Sequence, residues 1–247
     1  MKLYKYQKYS HQTLGSIIKN KIWLSGAKNF NDLFDCKFQQ DKFTENEYIE
    51  LKHINDFRKK QDIPYVDLGF SKFEFNEIIF NDVKTNAMYH GAQEYLYEFG
   101  IFCLSEIPDS ILMWSHYADN HKGICLEFDV DLKLNNTLLA VNYATKYPKV
   151  SIYDMGINLA KTTHSILATK SADWSYEKEW RYIVNDKSDQ LINNPFKLTS
   201  IIFGARSKSE DIETILEAVK HNKDVSFKKA TQSNTDYEML ISDYVHI

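Results

Sequence analysis

Residues 113–128 read M-W-S-H-Y-A-D-N-H-K-G-I-C-L-E-F, and the order of features along this run sets the expected fold. Trp114, Tyr117 and Ala118 share one face of a helical turn by i, i+3, i+4 spacing, with His116 and Asp119 on adjoining faces. Gly123 permits a sharp backbone turn, and Ile124 to Phe128 has strand character. A short helix that passes into a strand through a polar turn holding His121 sets reactive side chains at the end of a rigid element. The same residues also suit a plainer role, with Trp114 and Tyr117 as core aromatics and the histidines bonded to backbone at a helix end.

Working outward toward the N-terminus, Ile101 to Leu104 reads as a buried strand, followed by a turn marked by Pro108. Leu3 to Tyr6 alternates as a strand, and Ser10 caps a helix whose Leu14, Ile17 and Ile18 form one apolar stripe. Ile22 to Leu24 is a further strand, and the loop after it sets Asn29, Asn31, Asp32 and Asp35 around Phe30 and Phe34. Thr44 with Glu47 and Ser71 with Glu74 are two capping boxes, so the segment from about 44 to 98 reads as an inserted helical pair. Its second helix points Ile78, Ile79 and Val83 inward and runs to about Tyr97.

Toward the C-terminus, Leu138 to Tyr143 is a strand and Gly156 to Thr169 a helix, followed by a second reactive run, K-S-A-D-W-S-Y-E-K-E-W-R-Y-I-V, from Lys170 to Val184. Alternation puts Glu179, Arg181 and Ile183 on one strand face and Trp180, Tyr182 and Val184 on the other. Lys197 to Phe203, Val225 to Lys229 and Met239 to Val245 complete the strands. Ser207 and Glu210 open a helix carrying Ile212, Ile215, Leu216 and Val219. Strands and helices mix without regular βαβ alternation, which predicts an α+β fold with a mixed, largely antiparallel sheet, flanking helices and the helical insertion, all in one domain over 1–247.

Composition narrows the function classes. A net charge of −4 gives no global attraction to phosphate backbones, so nucleic-acid binding is not expected and a small-molecule nucleotide or a protein is the expected partner. Cys36, Cys103 and Cys125 lack C-x-x-C spacing, and the latter two sit in apolar runs where a thiol acts as a small hydrophobe, as in a reducing cytoplasm. No apolar stretch reaches membrane-spanning length, and the opening M-K-L-Y-K-Y reads as strand, so a cytoplasmic protein without a membrane partner is expected. No Walker loop or G-x-G-x-x-G occurs. His116, Asp119 and His121 are chemically able to bind metal, but their spacing fits no standard zinc motif, so no metal is expected.

The two reactive runs, the opening L-Y-K-Y and the loop F-N-D-L-F-D together resemble a bacterial family catalogued as domain of unknown function 2971, across nearly the whole chain. Leu33 stands where that family's loop pattern carries proline. The element order also resembles ADP-ribosyltransferase folds: an N-terminal strand with a polar aromatic, a helix, a short strand ending in Ser25, and a late glutamate heading a strand. That resemblance implies NAD as a substrate, with no cofactor held tightly. Tyr4 or Tyr6, and Tyr117 or Trp114, would hold it, and Glu179 would act as the catalytic acid at the ribose. Neither tyrosine reproduces the His or Arg usual on that first strand. His116 joins Tyr117 as a catalytic candidate, and Lys170 and Arg181 are candidates to meet a pyrophosphate by charge-assisted hydrogen bonds. Two other readings stand beside this one. In one, Glu179 serves simply as the ion-pair partner of Arg181; in the other, the chain is a non-catalytic ligand- or protein-binding module, as in a sensor or a toxin or defence component.

Overall fold

The computed structural model of the chain describes residues 1–63, 82–132 and 137–245. The chain divides into two compact units, one formed by Met1–Ser25, Gly100–Val141 and Asp173–Ile247, the other by Gly26–Phe99 and Asn142–Ala172. It opens with β1 (Lys2–Gln7), α1 (His11–Ile18) and β2 (Lys21–Gly26), then supplies the second unit with β3 (Gln39–Gln40), α2 (Glu45–Lys60) and α3 (Asp82–Leu96). The first unit resumes with β4 (Gly100–Ser105), α4 (Ile111–Tyr117), β5 (Ile124–Asp129) and β6 (Leu138–Ala140). A second excursion carries β7 (Asn142–Ala144), β8 (Lys149–Val150), α5 (Ile152–Leu167) and β9 (Thr169–Ser171). Then β10 (Glu179–Val184), β11 (Gln190–Asn193), β12 (Lys197–Phe203), α6 (Ser209–Val219), β13 (Ser226–Gln232) and β14 (Met239–Asp243) complete the first unit.

The first unit is built on a ten-stranded sheet in the order β11-β2-β4-β1-β5-β12-β13-β14, with β10 also paired to β4 and β6 to β10. Pairing is antiparallel at β1–β4, β1–β5, β4–β10, β6–β10, β2–β11, β5–β12 and β13–β14, and parallel at β12–β13. This is the α+β class with the mixed, largely antiparallel sheet that the sequence predicts. Alternation divides the sheet's side chains between two cores. Leu3, Leu24, Phe128 and Phe203 pack with Ile212 and Ile215 of α6, joined by Leu14 and Ile17 of α1. On the other face Tyr6, Cys125 and Ile202 pack with Met113, Trp114 and Ala118 of the α4 segment.

In the second unit the Thr44 and Glu47 capping box forms as expected and starts α2, which buries Tyr48 and Leu51. Short parallel pairings join β3 to β8 and β7 to β9. The guanidinium of Arg58 donates to the carbonyls of Gly156 and Ile157, both at 3.2 Å, tying α2 to α5. A Cβ at Gly156 would stand 2.6 Å from Leu51 Cδ1, so any larger residue there must displace the Leu51 side chain.

Several local expectations differ from the structure. The helix expected from Gly156 begins earlier, at Ile152, because Ser151 and Asp154 form a capping box five residues upstream. Ser207 does not cap α6: its hydroxyl donates to the Gly123 carbonyl at 3.0 Å, and Lys208 stands at the cap position. Ile18 is 56% exposed rather than part of the α1 stripe. Phe34 is exposed rather than anchoring, while Asp32 does accept the Phe34 N–H in an Asx turn. The strand expected at Leu138–Tyr143 is divided at Val141 between β6 and β7. The capping box at Ser71 and Glu74, with Ile78 and Ile79, lies outside the described residues, as does the side chain of Val83. Among the described residues no helix is long and apolar enough to cross a membrane.

Candidate functional site

The site is built on the sheet face that α4 covers. Ser110 caps α4 by accepting the Met113 N–H, and Trp114 anchors it: the indole is fully buried, its N–H donates to the Pro108 carbonyl at 2.8 Å, and its ring meets Tyr6 edge-on at 5.2 Å. Tyr6 in turn donates to the Ile107 carbonyl at 2.7 Å. Two of the expected ligand-holding residues, Trp114 and Tyr6, are therefore core residues that fix the helix, and burial raises the Tyr6 hydroxyl well above its ordinary pKa. Of the two first-strand tyrosines on this face, Tyr6 is buried and Tyr4 half-buried.

After α4 the backbone makes a tight left-handed turn. Asp119, Asn120 and His121 have φ of 48°, 53° and 68°, a run of conformations costly for residues with a Cβ. Its bonds compensate: the His121 N–H reaches the Trp114 carbonyl, Gly123 N–H reaches Ala118, and Ser115 Oγ lies 2.9 Å from His121 Nε2. Burial, with Arg206 adding to it, lowers the His121 pKa. Gly123 and Gly204 are required here, since a Cβ would stand 2.3 Å from the Gln7 carbonyl oxygen and 2.2 Å from that of His121, respectively. His116, Asp119 and His121 do not gather, and no group of three or more His, Cys, Asp or Glu among the described residues is placed to hold a metal ion.

The second reactive run approaches the same face. Ala172–Glu177 forms a 3-10 helix, Lys178 turns at φ 44°, and β10 begins at Glu179. Tyr117 donates to Glu177 Oε1 at 2.6 Å, and His116 Nδ1 lies 3.1 Å from the Tyr176 hydroxyl. The His116 ring lies between those of Tyr117, Trp174 and Tyr176, at 6.2, 6.5 and 6.1 Å between centroids. His116 is exposed, and the other three rings are half-buried. Four flat side chains thus open to solvent beside a carboxylate, Glu177, that is 2% exposed.

Beneath them a polar row crosses the sheet. Glu179 pairs with Ser105, Ser105 with Tyr4, Tyr4 with Glu127, and Glu127 with Ser200, each as direct cross-strand partners on this one face. Ser105 Oγ donates to the Glu177 carbonyl at 2.6 Å, which couples the row to the 3-10 helix. Glu179 is 5% exposed, and both its oxygens accept from Arg181, Oε1 from Nε at 2.9 Å and Oε2 from Nη2 at 3.1 Å. Arg181 itself is fully buried. Cys103, beside them, has its thiol pushed well above the usual range by burial and then by Glu179. Burial alone would raise Glu127, but hydrogen bonds from Lys228 at 2.8 Å and Thr199 at 2.9 Å outweigh it and the net shift is downward. Tyr4 is pushed up to about 12 by burial and then by Glu127.

Of the residues singled out from sequence, His116, Tyr117, Tyr4, Glu179 and Arg181 therefore share one side of the sheet, while Lys170 belongs to the second unit. There its ammonium lies 3.9 Å from Asp35, with both side chains buried. Sequence reasoning missed Ser105, Trp174, Tyr176 and Glu177. The spacing of Glu177 and Glu179, two apart before a strand, was the available signal for the last.

Residues 113–182 match the family model described as Protein of unknown function (DUF2971), which supports the family resemblance drawn from the sequence over that stretch of the chain. The match begins within the anchor helix α4 and ends inside β10, so it includes the first reactive run and all but the last two residues of the second. No curated protein and no solved structure matches the chain, so the ADP-ribosyltransferase likeness draws no support from either comparison.

Proposed function

We propose that the α4 face binds NAD or a related nucleotide, and that the chain acts on it as an ADP-ribosyltransferase-like enzyme. The observation that carries this reading is the group of four open rings, His116, Tyr117, Trp174 and Tyr176, beside the buried carboxylates Glu177 and Glu179. Flat side chains of this kind receive a nicotinamide or adenine ring. In the transfer step the bond from ribose C1′ to the nicotinamide nitrogen breaks, and its electron pair leaves with neutral nicotinamide. An acceptor nucleophile then bonds to C1′ and gives up its proton. A carboxylate held ionised near C1′ stabilises the positive charge that develops between those events. Arg181 favours the ionised form of Glu179, as that role demands.

A second reading has its own observation. Arg181 occupies both Glu179 oxygens and the pair is sealed from solvent, which suits a non-catalytic module whose rings bind a ligand over a rigid base. One experiment separates the two. Calorimetric titration of the full chain with NAD tests binding, and nicotinamide release with cell extract as acceptor tests transfer. Transfer predicts that Glu179→Gln keeps NAD affinity within about threefold and lowers turnover about a hundredfold or more. Binding without release selects the module, and no binding up to millimolar NAD removes the nucleotide altogether.

A further inference from the structure

On the opposite side of the same sheet, α1 roofs a cavity of about 640 Å³. That is within the range of small-molecule sites, roughly 300–1,000 Å³. Its lining has a one-sided charge: Lys5, Lys8, Lys19, Lys21 and His11 border it, and among the described residues no aspartate or glutamate does. The chain as a whole carries a net charge of −4, so this concentration of cations runs against its average. The first turn of α1 also faces the cavity and holds no acidic residue to offset the helix dipole.

Lys5 is the informative member. It projects from β1 onto the apolar face of the sheet, where Leu3 along the strand and Leu126 opposite it belong to the core. It is half-buried, and its ammonium lies 4.9 Å from the centre of the Phe102 ring, its one recorded partner. No carboxylate among the described residues pairs with it. With no carboxylate paired to it, the ammonium keeps its N–H donors available to the cavity it lines. Phe102 and Phe128 close the floor as buried core rings, and Trp23 stands at the rim, 50% exposed, as the ring open to a ligand. Packing supports the roof only lightly, since no residue of α1 is fully buried.

We propose that this cavity is a binding site for a small aromatic phosphate monoester, the ring resting on Trp23 and the phosphate meeting Lys5 and the rim lysines. Four lysines exceed what a single carboxylate would neutralise, which favours the doubly charged phosphate. The site is separate from the ring group at α4, which lies on the other face, and the proposal does not depend on the reading given for that face.

The test is calorimetric titration of the full chain with adenosine monophosphate, compared with adenosine, inorganic phosphate and laurate. Saturable binding is expected, with each half-ligand at least about tenfold weaker because either the ring or the charge is missing. Lys5→Met should weaken the nucleotide about tenfold or more, and Lys5→Arg should stay within about threefold, as losing or keeping one charged hydrogen bond implies. Trp174→Ala, at the α4 face, should leave this affinity unchanged while weakening NAD, so failure of one site is distinguishable from failure of the other. Absence of saturable binding at millimolar nucleotide overturns the proposal. So does binding indifferent to Lys5→Met, which places the phosphate elsewhere, or laurate binding tighter than the nucleotide, which makes the cavity an acyl site.

Discussion

Replacing Trp114 by alanine tests whether the α4 face is held by one anchor. The indole is 0% exposed, and an aromatic side chain in that state buries about 150–250 Å². At about 25 cal/mol per Å² this corresponds to roughly 4–6 kcal/mol. A compact unfolded chain already hides part of that surface, which lowers the figure. Measured aromatic-to-alanine losses in cores, about 3–5 kcal/mol, include the cavity left behind. The indole N–H to Pro108 contributes about 1 kcal/mol within that sum, and its loss frees a carbonyl that water can reach. We expect a loss of about 4 kcal/mol, and about half of that for Trp114→Phe, which keeps a ring against Tyr6. Urea denaturation followed by far-ultraviolet circular dichroism reads it without relying on the deleted fluorophore. The chain has two compact units, so the comparison is made on the transition that shifts, not on an assumed single step. A loss below about 1.5 kcal/mol would show that α4 is held by something other than this indole, and the account of how His116 and Tyr117 are positioned would fall with it.

Gly204→Ala should lower the melting temperature sharply, by the equivalent of about 2 kcal/mol or more, because a methyl group there meets the His121 carbonyl at 2.2 Å; an unchanged melt refutes the claim that this backbone approach fixes the left-handed turn. Glu127 has a lowered pKa, so its stabilising effect is complete above the ordinary value of 4.5 and is lost as the pH falls through the lowered one. Denaturation midpoints measured between pH 7 and 2 should therefore fall less steeply in Glu127→Gln than in the parent, and identical profiles would refute the assignment. The thiols of Cys103 and Cys125 are raised well above their usual pKa, so iodoacetamide at neutral pH should label both slowly in the native chain, Cys125 least because it is buried, and both readily in urea; rapid native labelling contradicts the raised pKa.

The parts of the fold legible in the sequence were those written in local patterns. Alternation in Leu3 to Tyr6 and in Glu179 to Val184 gave strands, the latter with Glu179, Arg181 and Ile183 on one face as expected, and the Thr44 to Glu47 box marked the start of α2. Ser207 misled because its hydroxyl is used by a distant carbonyl, Gly123, and no spacing rule anticipates a partner 84 residues away. Trp114 and Tyr6 have side chains equally able to stack on a ligand or fill a core, and the choice depends on which element lies above them. The same limit hid Ser105. A lone serine at a strand end carries no signal until β1 and β10 are placed on its two sides. Lys170 and Arg181, eleven positions apart in one reactive run, fall into different units, a separation that the continuity of the run conceals.

The polar row also bears on where a ligand can act. Burying Glu179, Ser105, Tyr4, Glu127 and Ser200 side by side would be unfavourable unless each polar group found a partner. Arg181 answers Glu179, the Glu177 carbonyl answers Ser105, and Lys228 with Thr199 answers Glu127. Ser200 Oγ is buried without a hydrogen bond, and the Tyr4 hydroxyl makes none among the described residues. Of these two, Ser200 is 1% exposed and closed to a ligand, whereas Tyr4 is half-buried and borders Ser105 and Glu127. Its raised pKa, about 12, keeps it a neutral donor at physiological pH. Tyr4 is thus the member of the row able to donate a hydrogen bond outward. Tyr4→Phe should weaken a ligand held on this face by about three- to tenfold, the net value of one neutral hydrogen bond, with little change in stability because no internal bond is lost. Calorimetry with NAD and a thermal melt on the same sample would test both halves, and a large stability loss with unchanged affinity would reassign Tyr4 to the core beside Tyr6.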